Sequence, residues 1–514
     1  MSEDNGVWVD PKAARTLPQL IRAAAAAYGD GVAVRLEADA GPEDITFREL
    51  DRRSAELGRA LLARGIGKGA RVGFIAGNGP QFATWLFAIA RIGAVAIPIS
   101  TMIRANELVR VLRQSDVCGL FVQRQFLGYD YAERLCEALP ALRQGGPELR
   151  LPEAPYLRWI VSSGEGLPAS FRTADWFGKA AETIGDELLR SVESEVHTTD
   201  QLIEIYTSGS MALPKGVRHN HGPVLFRTHY LRGMLGPAEP GADVNCYLPM
   251  FWVGGLMMYL LPGIEGGGKV LCTERTLSNS RVAMGSVLAD EDVALMKNNK
   301  PYWGLGMSES LGPYGYGDEL RAPGRPLCAP MDHFAPDYEI RIADEDDRPV
   351  GDGEVGEMQL RGYPVTPGLH KIERAELFTP DGYYKTGDMC LIEGQRIHFI
   401  GRNGDMIKTA GSNVSPAEVE MEMQQLESVH SAYVVGLPDK ERGQLVAAAV
   451  VAREGATLDF AEVEAQLRQR LSGYKVPRAY LEIAREEVPL LHSNKVARRE
   501  VARMIAERLG RVAA

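Results

Sequence analysis

Tyr206 to Gly216 read YTSGSMALPKG, which sets Thr207, Ser208 and Ser210 around Gly209 ahead of a proline, Lys215 and a second glycine. Phosphate oxygens need several donors at close range and a backbone that can approach them, and small hydroxyls, glycine and a nearby cation supply both. The stretch therefore reads as a phosphate cradle. A Walker loop needs Gly, four residues, then Gly-Lys-Ser/Thr, and GSMALPKGV does not provide it, so a kinase or GTPase is disfavoured. His219 and His221 follow in RHNHG, but two-residue spacing with no cysteine or paired carboxylate beside them assigns no structural metal.

The cradle must be carried by something rigid. LIEIYTSGS runs a β-type segment straight into it, placing it at a strand's C-terminal end, where open α/β sheets hold ligands. Upstream, ITFRELDRRSAELGRALLARG opens with a capping box of Thr46 and Glu49 and a staple of Ile45 and Leu50, and lines Leu50, Leu57 and Leu61 along one face before Gly65. ARVGFIAG, QFATWLFAIARIG and AVAIPI then alternate strand, helix and strand, which implies α/β class and a parallel sheet. Residues 137–180 carry five prolines and read as loop-rich connection. DGYYKTGDMCLIEGQRIHFIGRNGD reads as a β-meander with turns at Asp381-Gly382 and Glu393-Gly394. From about Ile407 short strands, SAYVVGL and VAAAVVA, and a helix from Asp459 to Leu471 form a second, small α+β domain. The boundary falls near Arg402 to Asp405, giving domains of 1–401 and 402–514.

A chain of 514 residues, 45% hydrophobic, exceeds one compact core. Its net charge of -11 argues against nucleic acid or an anionic membrane as the main partner. The six cysteines, Cys118, Cys136, Cys246, Cys272, Cys328 and Cys390, lack CxxC or framework spacing, which suits reduced thiols in a cytoplasmic protein. The N-terminus shows no signal-peptide pattern. The apolar run from Cys246 to Ile264 is interrupted by glycines and prolines and has no basic flank, so a buried strand, turn and helix are expected in place of a membrane span. Oligomeric state is not legible, which leaves a homo-oligomer open.

The cradle resembles the Y-T-S-G-S/T-T-G-x-P-K-G signature of the adenylate-forming superfamily, and four further blocks follow in its order: GMSES (Gly306 to Ser310), YYKTGD (Tyr383 to Asp388), GRNGDMIKTAGSN and Lys495 in HSNKVARRE. The nearest likeness is to acyl-CoA synthetases, ligases that join a fatty or aromatic acid to CoA. That resemblance implies a large domain of stacked sheets with flanking helices, a small mobile C-terminal domain, and ATP, Mg²⁺ and CoA as cofactor and co-substrates. It implies that Thr207, Ser208, Gly209, Ser210 and Lys215 hold phosphates, that Gly306 and Met307 border the nucleotide, and that Ser308 bonds an α-phosphate oxygen or the acyl carbonyl. It further implies Glu309 as Mg²⁺ ligand, Asp388 on the ribose hydroxyls, Arg402 on ribose or phosphate, and Lys495 as the mobile cation at the reacting carboxylate. Gly404 takes the hinge position, Lys408 to Gly411 line a CoA channel after domain rotation, and Trp252 stands where an aromatic separates acyl pocket from ATP. Ser472 to Arg478, SGYKVPR, fits the small domain without an assigned role.

Several positions depart from the pattern. Met211-Ala212 replaces Thr-Gly, Leu305 replaces an adenine-stacking tyrosine, and Asn494 replaces a glycine. Ser208 and Glu309 are separated by 309 minus 208, or 101, positions, shorter than usual, with the loss between Cys272 and Trp303. These features motivate an alternative expectation, a degenerate nucleotide- or acyl-adenylate-binding protein with little turnover.

Overall fold

The computed structural model describes residues 10–38, 41–207, 214–274, 304–316, 327–402, 407–414, 416–489, 496 and 498–510. Thr46 opens the helix Phe47–Ala63 as the capping box requires: its hydroxyl accepts from Glu49 N at 3.2 Å, and Ile45 and Leu50 are both buried. The next apolar runs build a six-stranded sheet in the order Lys215–Asn220, Gln201–Thr207, Val95–Ile99, Arg71–Ile75, Gly119–Val122, Trp159–Ser162. All neighbours in it are parallel except the edge pair of Lys215–Asn220 with Gln201–Thr207. The strands Val95–Ile99, Arg71–Ile75, Gly119–Val122 and Trp159–Ser162 are buried on both faces, which is why they read as apolar runs without polar alternation. Phe121 points into one core with Phe74 and Val161, while Leu120 and Val122 enter the other beneath the helices Ala105–Gln114 and Tyr131–Ala138.

A four-stranded sheet, Asp243–Cys246, Lys269–Thr273, Val32–Ala38 and Gly41–Thr46, shares the first of these cores with the helices Leu17–Tyr28, Pro80–Arg91 and His221–Leu235. The run from Cys246 to Ile264 resolves into the end of a strand, a turn, and one helical stretch over residues 253–266 whose middle, Leu256–Leu260, is a π turn. Pro262 lies two residues past it and has no N–H to donate, which suits a widened turn there. Among the described residues no helix is long and apolar enough to cross a membrane.

A five-stranded antiparallel sheet, Leu327–Pro330, Arg396–Arg402, Tyr384–Glu393, Gly356–Gly362 and Tyr338–Ala343, completes the large N-terminal part. The small C-terminal domain has its own sheet, centred on Gly443–Ala452 paired with Val429–Asp439 and with Ala479–Glu482. Val446, Ala448 and Val450 face the helices Pro416–Gln424 and Phe460–Arg470; Ala447, Ala449 and Val451 face Arg498–Arg508. The two apolar segments flagged in the sequence are thus the arms of one hairpin, buried on both sides. Asp459 caps its helix, accepting from Ala461 N and Glu462 N.

Candidate active site

Lys215 sits directly opposite Thr207 in the antiparallel edge pair, so the ends of the YTSGSMALPKG loop are held side by side at the C-terminal end of a sheet strand. The strand beneath is anchored by a charge. Glu204 is fully buried, ion-paired with Arg71, and accepts from Tyr206 Oη at 2.6 Å and Gln201 Nε2 at 3.2 Å. Burial, with Glu204 adding to it, drives the Tyr206 phenol far above its ordinary range, so it stays a donor. A Cβ on Gly216 would lie 2.3 Å from Glu204 Oε1, which makes the last glycine of the loop a packing requirement. His370 N donates to Gly216 O at 2.8 Å, while His370 Nε2 lies 3.0 Å from Asp116, fastening the loop's exit to the 366–371 segment.

From the same edge strand His219, fully buried, donates Nε2–H to Ser308 O at 2.7 Å. Burial pushes its pKa down to about 4, against the Ser308 carbonyl, so the ring is neutral. His221 turns elsewhere and its Nδ1 accepts from Leu17 N at 3.1 Å. The turn Ser308–Ser310 is held from several sides: Ser310 Oγ accepts from Met307 N at 3.2 Å and donates to Gly312 O at 2.8 Å, and Tyr338 Oη donates to Ser310 O at 2.5 Å. Gly306 lies where a Cβ would be 2.5 Å from Gly312 O, so the strand pair 304–307 and 312–316 closes only over glycine. Ser308 and Glu309 stay partly exposed at the surface of this turn. Val253, next to Trp252, packs 3.7 Å from the Cβ position of Gly312, which brings the half-buried Trp252 to the neighbourhood of the turn.

Glu309 is tied in turn to the third motif. Tyr384 Oη donates to Glu309 Oε1 at 3.2 Å, and Thr366 N donates to Glu309 O at 2.7 Å. Three residues along the strand from Tyr384, the pairing slips at Gly387, whose φ is 72°. Thr386 Oγ1 bonds Met358 O at 2.5 Å and accepts from Asp388 N at 3.0 Å, while Gly387 N donates to Glu357 Oε1 at 2.7 Å. Burial, helped by Asp388 nearby, pushes the Glu357 carboxyl up. Such a bulge re-aims a side chain, and here it sets the buried Asp388 opposite Arg402.

In the small domain Lys408 and Gly411 occupy the hairpin Ile407–Thr409 with Ser412–Val414, where both are exposed and Gly411 has φ 77°. The hairpin begins five residues after Arg402, whose backbone pairs with Asp388, and the charge of Lys408 opposes the burial and the Asp388 carboxylate that raise the Cys390 thiol pKa. Ser208, Gly209, Ser210, Gly404, Lys495, the departures at Met211-Ala212 and Asn494, and positions 275–303 of the shortened segment lie outside the described residues. The structure thus pairs Thr207 with Lys215 and Asp388 with the backbone of Arg402, and ties the turn of Ser308 and Glu309 to His219 on one side and Tyr384 on the other. It also exposes what sequence reasoning passed over: Glu204, His219, Glu357 and Tyr384. The signals were a lone acid inside an apolar strand, a histidine counted only as a metal candidate, and a tyrosine inside a motif valued for its Thr-Gly-Asp.

A large domain of stacked sheets joined to a small α+β domain is the architecture of the adenylate-forming fold. The profile of the AMP-binding enzyme family matches residues 21–296 and that of the AMP-binding enzyme C-terminal domain matches residues 418–495. The chain belongs to the AMP-binding enzyme family. A feruloyl-CoA synthase from an Amycolatopsis species is 28% identical, covering 90% of this chain and 94% of its own. A long-chain-fatty-acid–CoA ligase of Salmonella typhimurium is 27% identical over 96% and 95%. Among solved structures, an o-succinylbenzoate CoA synthetase from Bacillus subtilis superposes with a TM-score of 0.68 at 20% identity, covering 93% of this chain and 97% of that one. An amide bond synthetase from Marinactinospora thermotolerans gives the same TM-score and identity over 94% and 99%.

Proposed function

We propose that the protein is an ATP-dependent acid–CoA ligase. The observation that carries this reading is the chain of hydrogen bonds linking the three motif turns: His219 to Ser308 O, Tyr384 to Glu309, and His370 N to Gly216 O. In the proposed reaction a substrate carboxylate oxygen attacks the α-phosphorus of ATP, the bond to the β-phosphate oxygen breaks, and pyrophosphate leaves. The CoA thiolate then attacks the acyl carbonyl and AMP departs. Two anions must meet in the first step, so the site's task is to neutralise charge where it develops.

Thr207 and Lys215, with Ser208, Gly209 and Ser210, would hold the β- and γ-phosphates. Ser308 would bond an α-phosphate oxygen or the acyl carbonyl, beside Gly306 and Met307. Asp388 would accept the ribose hydroxyls, with Arg402 reaching ribose or phosphate, and Lys495 would bring its ammonium to the carboxylate. Glu309 fits a magnesium site, being a hard oxygen donor in a partly exposed turn, steadied through one oxygen by Tyr384. Magnesium bound there would screen the phosphate charge. Lys408 and Gly411 would border the CoA path, Gly404 would be the hinge between domains 1–401 and 402–514, and Trp252 would separate acid from nucleotide.

A panel of aliphatic and aromatic acids, assayed for pyrophosphate with and without CoA, tests the reading. Acid-dependent pyrophosphate and AMP are expected, with Glu309→Gln and Lys495→Ala each losing at least about a hundredfold, the scale of removing one transition-state stabiliser. Release of ADP, or no pyrophosphate from any acid, would overturn it. The match of motifs across both domains supports turnover over the ligand-binding alternative.

A further inference from the structure

The SGYKVPR segment of the small domain meets the large domain in a buried cluster of charges. Lys475 donates to Glu107 Oε1 at 2.5 Å and to Glu418 Oε1 at 2.9 Å, and Ser472 Oγ donates to Glu107 Oε2 at 2.9 Å and to Met102 O at 2.8 Å. Glu107 belongs to the large-domain helix Ala105–Gln114, whereas Lys475, Ser472 and Glu418 belong to the small domain. Relative exposures of 3%, 7% and 7% for Glu107, Lys475 and Glu418 show that the charges have left water. One turn further along the same helix, Arg110 pairs with the small domain's Glu422, which is 1% exposed. Arg104 Nε donates to Leu471 O at 3.2 Å.

Each half of the cluster also has a partner within its own domain. If the domains separate, Lys475 keeps Glu418 as a partner within its own domain, and Glu107 keeps Arg104 N, which donates to its Oε2 at 2.9 Å as a helix cap. Neither half is left with an orphaned buried charge, so the contact is suited to being made and broken. Burial opposes ionisation at Glu107, yet Lys475 holds its carboxyl below the usual range, while burial pushes Glu418 up.

We propose that Glu107 and Lys475 form an interdomain latch that holds the small domain with the hairpin of Lys408 and Gly411 turned toward the Asp388 strand. Lys475 and Glu107 are positioning residues: they select a domain orientation and touch no reacting atom. The inference rests on the acid–CoA ligase reading only for which half-reaction that orientation serves, namely attack by the CoA thiol.

The test uses the full chain carrying Glu107→Gln, which keeps side-chain shape and leaves the small domain's own Lys475–Glu418 pair intact, and Lys475→Met as a second variant. Small-angle scattering is expected to change from the native profile to that of a more open ensemble in both. Acid-dependent ATP–pyrophosphate exchange is expected to stay within about threefold of native while CoA-dependent thioester formation falls at least about tenfold, because a broken buried pair favours the released pose. Restoring the charge with Glu107→Asp should recover part of the thioester rate. Native scattering together with an unchanged ratio of the two rates in Glu107→Gln would overturn the latch. Absence of exchange in the native protein with every acid would overturn the functional reading instead, and scattering alone would then decide the latch.

Discussion

His219 and His221 show how two equivalent-looking residues part company. Both are buried with their rings neutral, burial having pushed their pKa values down to about 4 and about 3. In the unfolded chain each titrates near about 6.5, so the folded values are depressed and the stability from keeping both rings neutral is complete above about pH 6.5. It is lost as pH falls toward about 4, by about 1.4 kcal/mol per pH unit for each ring, because the unfolded chain takes up the protons first. Replacing His219 with Asn, which keeps an amide donor for Ser308 O, should make the thermal midpoint shallower in its acid dependence across that window. An unaltered slope in a pH series of melts would show that His219 is not a neutral strut. RHNHG could not separate the two rings, since what distinguishes them is a partner 89 residues later for one and 204 residues earlier for the other.

Two glycines make the argument at the level of elements, because they are required for different reasons. Gly306 faces backbone, with Gly312 O at 2.5 Å and Pro313 Cα at 2.6 Å from a Cβ, so Gly306→Ala should force the strand pair apart at about 1–3 kcal/mol and displace Ser308 and Glu309 with it. Gly387 has open space around its Cβ position but a φ of 72°, so Gly387→Ala should cost only about 1–2 kcal/mol of backbone strain while turning Asp388 and weakening ATP binding. Melting curves and nucleotide titrations of the pair check this; an unshifted melt for Gly306→Ala would refute the packing argument. The sequence made the elements around these turns readable: the Thr46 cap, the strand Gln201–Thr207 that leads into the YTSGSMALPKG segment, and the hairpin turn at Glu393-Gly394 all formed where local chemistry placed them. It did not reveal the bulge at Gly387, which exists only because Glu357 and Met358 of a neighbouring strand supply the partners.

Across the whole molecule, the Glu107–Lys475–Glu418 cluster differs from the many exposed pairs, such as Arg52 with Glu49, in having little water around it. Salt screens exposed charges over about 8–10 Å at ordinary ionic strength but reaches buried pairs poorly. The native scattering profile should therefore be unchanged when salt is raised from about 0.05 to about 0.5 M, a range that shortens screening severalfold. A profile that opens steadily with salt would assign the domain orientation to surface charge instead of the latch.

What the sequence determined by itself was local or motif-borne: the caps, the apolar runs, the alternation of strand and helix, and the ordered blocks that carry the family resemblance. Each depends on neighbours within a few residues or on a pattern repeated in order, and both are visible in one dimension. The tertiary structure decided which side chains hold the motifs against one another, through Glu204 beneath Tyr206, His219 against Ser308 and Tyr384 against Glu309. It also decided where SGYKVPR belongs. Burying a charge is tolerable only when an opposite charge is brought to it, and for Lys475 that partner lies 368 positions away on the other domain.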